Sequence, residues 1–142
     1  GVSNPFRPAR GYRDISRRVD EILQETGLDR LASANAGALS YGDVALLEIA
    51  LALANRPRLL LLDEPICGMS PSETERTVER ITELARTIDV ILIEHDMEVV
   101  FKIADLITVM AQGRLLVQGT PDEVARNDKV QEVYLGTPEE VE

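Results

Sequence analysis

Leu59-Leu60-Leu61-Leu62-Asp63-Glu64-Pro65 combines an unbroken apolar run, two adjacent acids and a proline. A short continuous apolar run predicts a strand covered on both faces, as in a parallel sheet beneath helices. The two carboxylates then stand at its C-terminal end, where α/β sheets place their ligands. Pro65 has no N–H for a ladder and turns the chain away. Buried strand, exposed acids and forced turn together point to a hydrolytic nucleotide site, with Asp63 near a metal ion and Glu64 near a water. The simpler alternative is that the acids only cap the following turn.

With 142 residues the chain is one domain or part of one. Its 44% hydrophobic content supports a core, and its charges are dispersed, so disorder is expected only at the ends. A net charge of −10 argues against a nucleic-acid surface, which needs a basic stripe. The single cysteine, Cys67, excludes an internal disulfide and a cysteine metal cluster, and fits a reducing compartment. Cys67 is read as a small loop packer. The apolar runs are too short to span a bilayer. The N-terminus carries no signal-peptide pattern and does not start with Met, as expected of a trimmed or partial chain.

Upstream of the apolar run, residues 1–12 read as loop or linker. From Asp14 the spacing predicts a helix with Ile15, Val19, Ile22 and Leu23 inward, stopped by Gly27. Residues 28–38 read as a close-packing loop. Ser40 is an N-cap with Asp43 three residues on, and Val44–Ala54 is apolar on nearly every side, predicting a buried helix. Downstream, Pro71 closes a loop, and a helix follows with Val78, Ile81, Leu84 and Ala85 inward. Val90–Ile93 predicts a second buried strand, ending in Glu94-His95-Asp96. A short helix over 97–104, a strand over 106–110, a turn at Gln112-Gly113-Arg114 and a strand over 115–119 follow. Thr120 caps a short helix with Pro121 first, and a last helix spans roughly 128–135, before an acidic tail. The element order is α/β.

Three signals stand in one order. Leu39-Ser40-Tyr41-Gly42-Asp43 opens the buried helix; Asp63-Glu64-Pro65 ends one strand; Glu94-His95-Asp96 ends another. Ser40 and the backbone N–H groups around Gly42 form an anion site suited to a phosphate, and Gly42 allows close approach. Asp63 can hold Mg²⁺ through water, Glu64 can orient or deprotonate an attacking water, and His95 can hydrogen-bond a γ-phosphate oxygen.

In these motifs the chain resembles the ATP-binding subunits of ABC transporters. LSYGD at 39–43 resembles the signature motif, LLLLDEP resembles Walker B with its catalytic glutamate, CGMS at 67–70 stands at the D-loop, and IEHDM at 93–97 resembles the switch-histidine segment. Tyr41, GMSPSE, IEHDM and the terminal VYLG are most similar to the subunits that drive branched-chain amino acid uptake. The resemblance runs from about residue 14 to residue 136. It implies a partial P-loop NTPase fold: a mostly parallel sheet flanked by helices, with part of the helical subdomain. Residues 1–57 would hold a linker and the signature-bearing helical part, 58–120 the catalytic core, and 121–142 the C-terminal helices and tail.

The resemblance implies Glu64 and His95 as catalytic residues, Asp63 as the Mg²⁺ residue, and Leu39, Ser40, Tyr41, Gly42 and Asp43 as ATP contacts across a dimer, with Ser70 in the D-loop. Asp43 stands where the family usually has glutamine, and Ser70 where it usually has Asp or Asn. No Gly-x-x-x-x-Gly-Lys-Ser/Thr loop occurs: Lys102 and Lys129 follow Phe101 and Asp128. The expectation is therefore the C-terminal part of a nucleotide-binding domain, lacking Walker A and the Q-loop and inactive alone. Its parent would hydrolyse ATP with Mg²⁺, pairing with a second ATPase subunit and with transmembrane permease subunits. It would sit in the cytoplasm on the inner face of the plasma membrane and bind no nucleic acid. The rivals are a non-enzymatic interaction module and the C-terminal half of an SMC or Rad50-type ATPase, which needs a coiled coil and a basic path.

Overall fold

The apolar run forms strand β1 (Leu59–Asp63) in the computed structural model, which describes residues 13–132. β1 pairs in parallel with β2 (Asp89–Ile93), from Leu59 opposite Asp89 to Asp63 opposite Ile93. The crossover that a parallel pair requires is helix α3 (Pro71–Leu84). Leu60 and Leu62 are buried, but Leu61 is 68% exposed, and on β2 Ile91 and Ile93 are 51% and 58% exposed. The expectation of strands covered on both faces is corrected: among the described residues, only one face of the pair is buried. A continuous apolar run shows that both faces are suited to cover, not what lies over them.

Helix α1 (Arg13–Glu25) ends at Gly27 as the sequence predicts. Gly27 has φ +71°, its N–H bonds Gln24 O, and Leu28 N–H bonds Leu23 O at 2.7 Å. This paired closure with a left-handed glycine satisfies the last carbonyls, and the buried Leu28 seals it. Of the four positions predicted to face inward, only Ile22 is buried and Leu23 half-buried; Ile15 and Val19 are exposed. The core is reached only by the C-terminal turns of α1. Residues 28–38 contain two short 3₁₀ turns rather than plain loop, at Asp29–Leu31 and Ala36–Ala38.

Helix α2 (Tyr41–Leu53) starts at Ser40 as expected. It buries one stripe, Gly42, Leu46, Ile49, Ala50 and Leu53, while Val44 and Leu51 are exposed. The all-round burial expected of it is thus corrected to a single face. Arg18 Nη2 ties α1 to its C-terminal end by donating to Leu53 O at 3.3 Å. α3 buries Val78, Ile81 and Leu84 as predicted, together with Thr77; Ala85 is exposed, being already the C-cap.

The chain divides after Glu94 into two compact units. The second holds α4 (Met97–Ile103), an antiparallel hairpin of β3 (Ile107–Ala111) and β4 (Arg114–Gly119), α5 (Pro121–Ala125) and α6 (Asp128–Val130). Gln112 and Gly113 both have positive φ, +51° and +72°, the two-residue turn whose twist suits a hairpin. The register slips by one between Val109 and Met110, leaving Leu116 without a partner across the ladder. Ile107, Val109, Val124 and Val130 form the core, and Val124 is fully buried. Thr120 caps α5 through a capping box with Glu123, and these bonds hold the Glu123 carboxyl below the usual carboxylate range. Val133–Leu135, the 137–142 tail and the 1–12 linker lie outside the described residues.

Candidate functional site

Asp63 and Glu64 are both exposed at the C-terminal end of β1. Glu64 has φ +46°, a left-handed conformation uncommon for a residue with a Cβ. Its N–H donates to Ile93 O at 2.9 Å, so the ladder with β2 continues one residue past the strand and fixes the backbone at that point. The following turn is held from the same side: Ile66 N–H donates to Glu94 Oε1 at 3.3 Å. Ile66 is buried beneath it, and Cys67 is exposed, which corrects its reading as a packed loop residue. A cavity of about 340 Å³ opens between α2 and this turn. Its walls include Val44, Leu61 and Ile49, with Glu48 from α2 and Asp63 and Glu64 from the turn as its carboxylates.

Among the described residues no group of three or more His, Cys, Asp or Glu gathers to hold a metal ion. A site for Mg²⁺ does not need one. That ion keeps most of its waters and binds through one or two carboxylates plus phosphate oxygens, and the single exposed Asp63 fits such a role.

Leu39 is extended, and Ser40 (φ −70°, ψ 167°) is the N-cap of α2. Ser40 Oγ accepts from Asp43 N–H at 3.3 Å and donates to Asp43 Oδ2 at 3.0 Å. Tyr41 is exposed. Asp43 reaches across to α3, where Arg76 Nη2 donates to its Oδ1 at 2.5 Å. The acid in place of the family's glutamine therefore has a partner within this unit. Gly42 is buried, and its N–H donates to Glu73 Oε1 at 3.4 Å. A Cβ at Gly42 would lie 3.1 Å from Glu73 Cβ, so the close approach of α3 by itself demands glycine here.

Ser70 N-caps α3, with Pro71 at its first position and Glu73 at its third. Glu73 Oε2 accepts from Ser70 Oγ at 2.6 Å and from Ser70 N–H at 3.0 Å. Together with the hydrogen bond from the Gly42 N–H, these donors hold the Glu73 carboxyl down at about 2, from an ordinary 4.5, the Ser70 hydroxyl contributing most. One side chain thus joins Gly42 and Ser70, two of the positions singled out from sequence. Glu73 itself escaped that reading, as did Arg76. The signal for Glu73 is present as the spacing Ser70-x-x-Glu73, a capping box; Arg76 carries none that points across 33 residues to Asp43.

His95 is exposed at a bend that opens the second unit. Asp96 caps α4 by accepting from Glu98 N–H and Val99 N–H at 3.1 and 3.2 Å, which fixes the backbone immediately after the histidine.

The chain matches the ABC transporter family over residues 3–67 and the family of branched-chain amino acid ATP-binding cassette transporters over residues 114–140. It is 40% identical over 129 residues to the high-affinity branched-chain amino acid transport ATP-binding protein BraF of Pseudomonas aeruginosa, which covers 89% of this chain and 51% of the relative. The LivG protein of Salmonella typhimurium, of the same description, is 43% identical over 129 residues with the same coverage. Among solved structures, an ATP-binding cassette of an ABC transporter in its ADP conformation superposes with a TM-score of 0.75 at 32% identity, covering 85% of this chain and 50% of the other. A protein of the cbiONQ ABC transporter complex of Clostridium perfringens gives 0.76 at 32% identity, covering 95% and 54%. The chain spans about half the length of the curated relatives it matches.

Proposed function

We propose, for a chain that sequence and fold assign to the ABC transporter ATP-binding proteins, that it supplies the signature, Walker B, D-loop and switch-histidine parts of an ATP-hydrolysing site that powers import of branched-chain amino acids. What supports this most is the end of β1: two exposed adjacent carboxylates, the second held in a left-handed backbone by the Ile93 carbonyl.

Asp63 would hold Mg²⁺ through water, and the ion, when bound, supplies charge neutralisation at the phosphate oxygens. Glu64 orients the attacking water and takes its proton. His95 donates a hydrogen bond to a γ-phosphate oxygen, stabilising charge where it develops. Leu39 to Asp43 act across a dimer on the nucleotide held by a second ATPase subunit. Ser40 Oγ turns toward the phosphate by rotation about one bond, and the Gly42 N–H, committed at only 3.4 Å, is free to share with a stronger acceptor. Ser70 faces the same interface. The assembly works with transmembrane permease subunits, which puts this chain at the inner face of the membrane; among the described residues no helix is long and apolar enough to cross it.

The 142 residues contain no phosphate-gripping Gly-x-x-x-x-Gly-Lys loop, so the chain alone should release no phosphate from ATP. The test is phosphate release by the complete protein and its Glu64→Gln variant, beside the chain by itself. Expected is a loss of at least about 100-fold in kcat for the variant. Unchanged turnover in Glu64→Gln would end the assignment of Glu64. Robust turnover by the isolated chain that vanishes in Glu64→Gln would end the claim of inactivity.

A further inference from the structure

We infer that Glu73 is a positioning residue that joins the signature turn to the D-loop turn, so that the two segments move as one body. The inference rests on the ATPase reading above for its consequence in turnover, but not for its structural content.

Three observations converge on this side chain, and a fourth ties the same two elements together. One carboxylate oxygen takes both the hydroxyl and the N–H of Ser70, at 2.6 and 3.0 Å. The other takes the N–H of Gly42, 31 residues earlier in the chain. The stem of Glu73 lies against the face of Gly42 where any Cβ would be crowded at 3.1 and 3.3 Å. One turn further along α3, Arg76 holds Asp43 of the same signature turn. A helix cap for α3 needs only the Ser70 half of these bonds. The Gly42 half adds nothing to α3; it fastens α3 to the N-terminus of α2. A rotation of the D-loop turn about its own axis would pull Glu73 Oε1 off Gly42, so the signature must follow or the bond must break.

In the proposed site the signature and D-loop both face a nucleotide held elsewhere. Their mutual placement then sets whether both can be in contact geometry together. Misplacement by an ångström is enough to cost turnover without abolishing binding.

The experiment uses the complete protein, with hydrogen exchange of the Gly42 and Ser70 amides and steady-state ATP hydrolysis, in Glu73→Ala and Glu73→Gln. Gln keeps an acceptor of the same reach. Expected in Glu73→Ala is faster exchange at both amides, by about five-fold for the loss of one hydrogen bond. Expected too is a kcat lower by about ten-fold with KM for ATP within about two-fold, because positioning is lost and grip is not. Glu73→Gln, with one acceptor oxygen where the carboxylate has two, should keep protection at one of the two amides and lose it at the other. Exchange that rises at Ser70 but not at Gly42 in Glu73→Ala would reduce Glu73 to a cap and overturn the inference. So would a lower KM in Glu73→Ala, which would make Glu73 a competitor of the nucleotide. If the complete wild-type protein hydrolyses no ATP, the functional reading fails while the paired exchange at Gly42 and Ser70 still decides the coupling.

Discussion

Gly42 N–H and Glu73 Oε1 meet at 3.4 Å across the α2–α3 contact, and the glycine is buried directly against the glutamate's stem. Gly42 lies in the first turn of α2, where alanine would ordinarily favour the helix by up to about 1 kcal/mol. Here an added methyl meets Glu73 Cβ, an atom that cannot move without moving α3. Gly42→Ala should therefore destabilise by about 1–2 kcal/mol despite the better propensity. Urea denaturation decides this, and a midpoint equal to or above wild type would show that α3 gives way freely.

The Glu73 carboxyl, held near 2 against an ordinary 4.5, makes stability depend on pH in a definite direction. A depressed carboxylate contributes above its unfolded value and loses that contribution as pH falls toward its folded value. The other charged groups at this contact are Asp43 and Arg76, already paired with each other. Wild type should thus melt above Glu73→Gln at pH 6, and the difference should shrink between pH 4.5 and pH 2. A gap that stays constant through this range would mean that the Gln variant differs by packing alone.

Much of this was legible because it is written in local chemistry. The left-handed Gly27, the caps at Ser40 and Thr120, the turn at Gln112-Gly113 and the run that becomes β1 all depend on residues within five positions of one another. Burial was less legible. Leu61 and Leu51 are as apolar as Leu60 and Leu53, and only three-dimensional placement separates the exposed pair from the buried pair. For the candidate site, the acids after β1 announce themselves by type and position. The bond from Gly42 to Glu73 does not, since nothing in either neighbourhood encodes a partner 31 residues away. The reading of Gly42 from sequence concerned a ligand; the packing of α3 against it adds a second demand for glycine that the sequence did not show.

Leu61, Ile91 and Ile93 share one open face of the β1–β2 pair. A contiguous apolar face of this kind favours association. The double variant Leu61→Ser with Ile91→Ser should lower self-association of the isolated chain in sedimentation and reduce binding of an apolar dye. Because both side chains are already more than half exposed, each change should alter stability by no more than about 0.5 kcal/mol. A loss of several kcal/mol would place these residues inside a core in solution.

Glu64 holds a left-handed backbone, a cost that the proposed catalytic role would account for. Its φ of +46° suits glycine and is adverse for a side chain branched at Cβ, which crowds the backbone in the left-handed region. Its carboxylate is exposed, so replacing it loses no burial. Two substitutions therefore separate backbone from side chain. Glu64→Gly relieves the φ cost and should match wild type or exceed it by up to about 1 kcal/mol, the relief being partly offset by the glycine's freedom in the unfolded chain. Glu64→Val keeps the size modest but should cost about 1–2 kcal/mol, although the site is on the surface. Urea midpoints of the three proteins give the order Gly at or above Glu, with Val below both. In the complete protein both variants should lose ATP hydrolysis alike, since neither holds a carboxylate. Equal midpoints for Gly and Val would show that the left-handed backbone at position 64 is not maintained in solution, and with it would go the idea that stability is given up there to aim the carboxylate proposed to be catalytic.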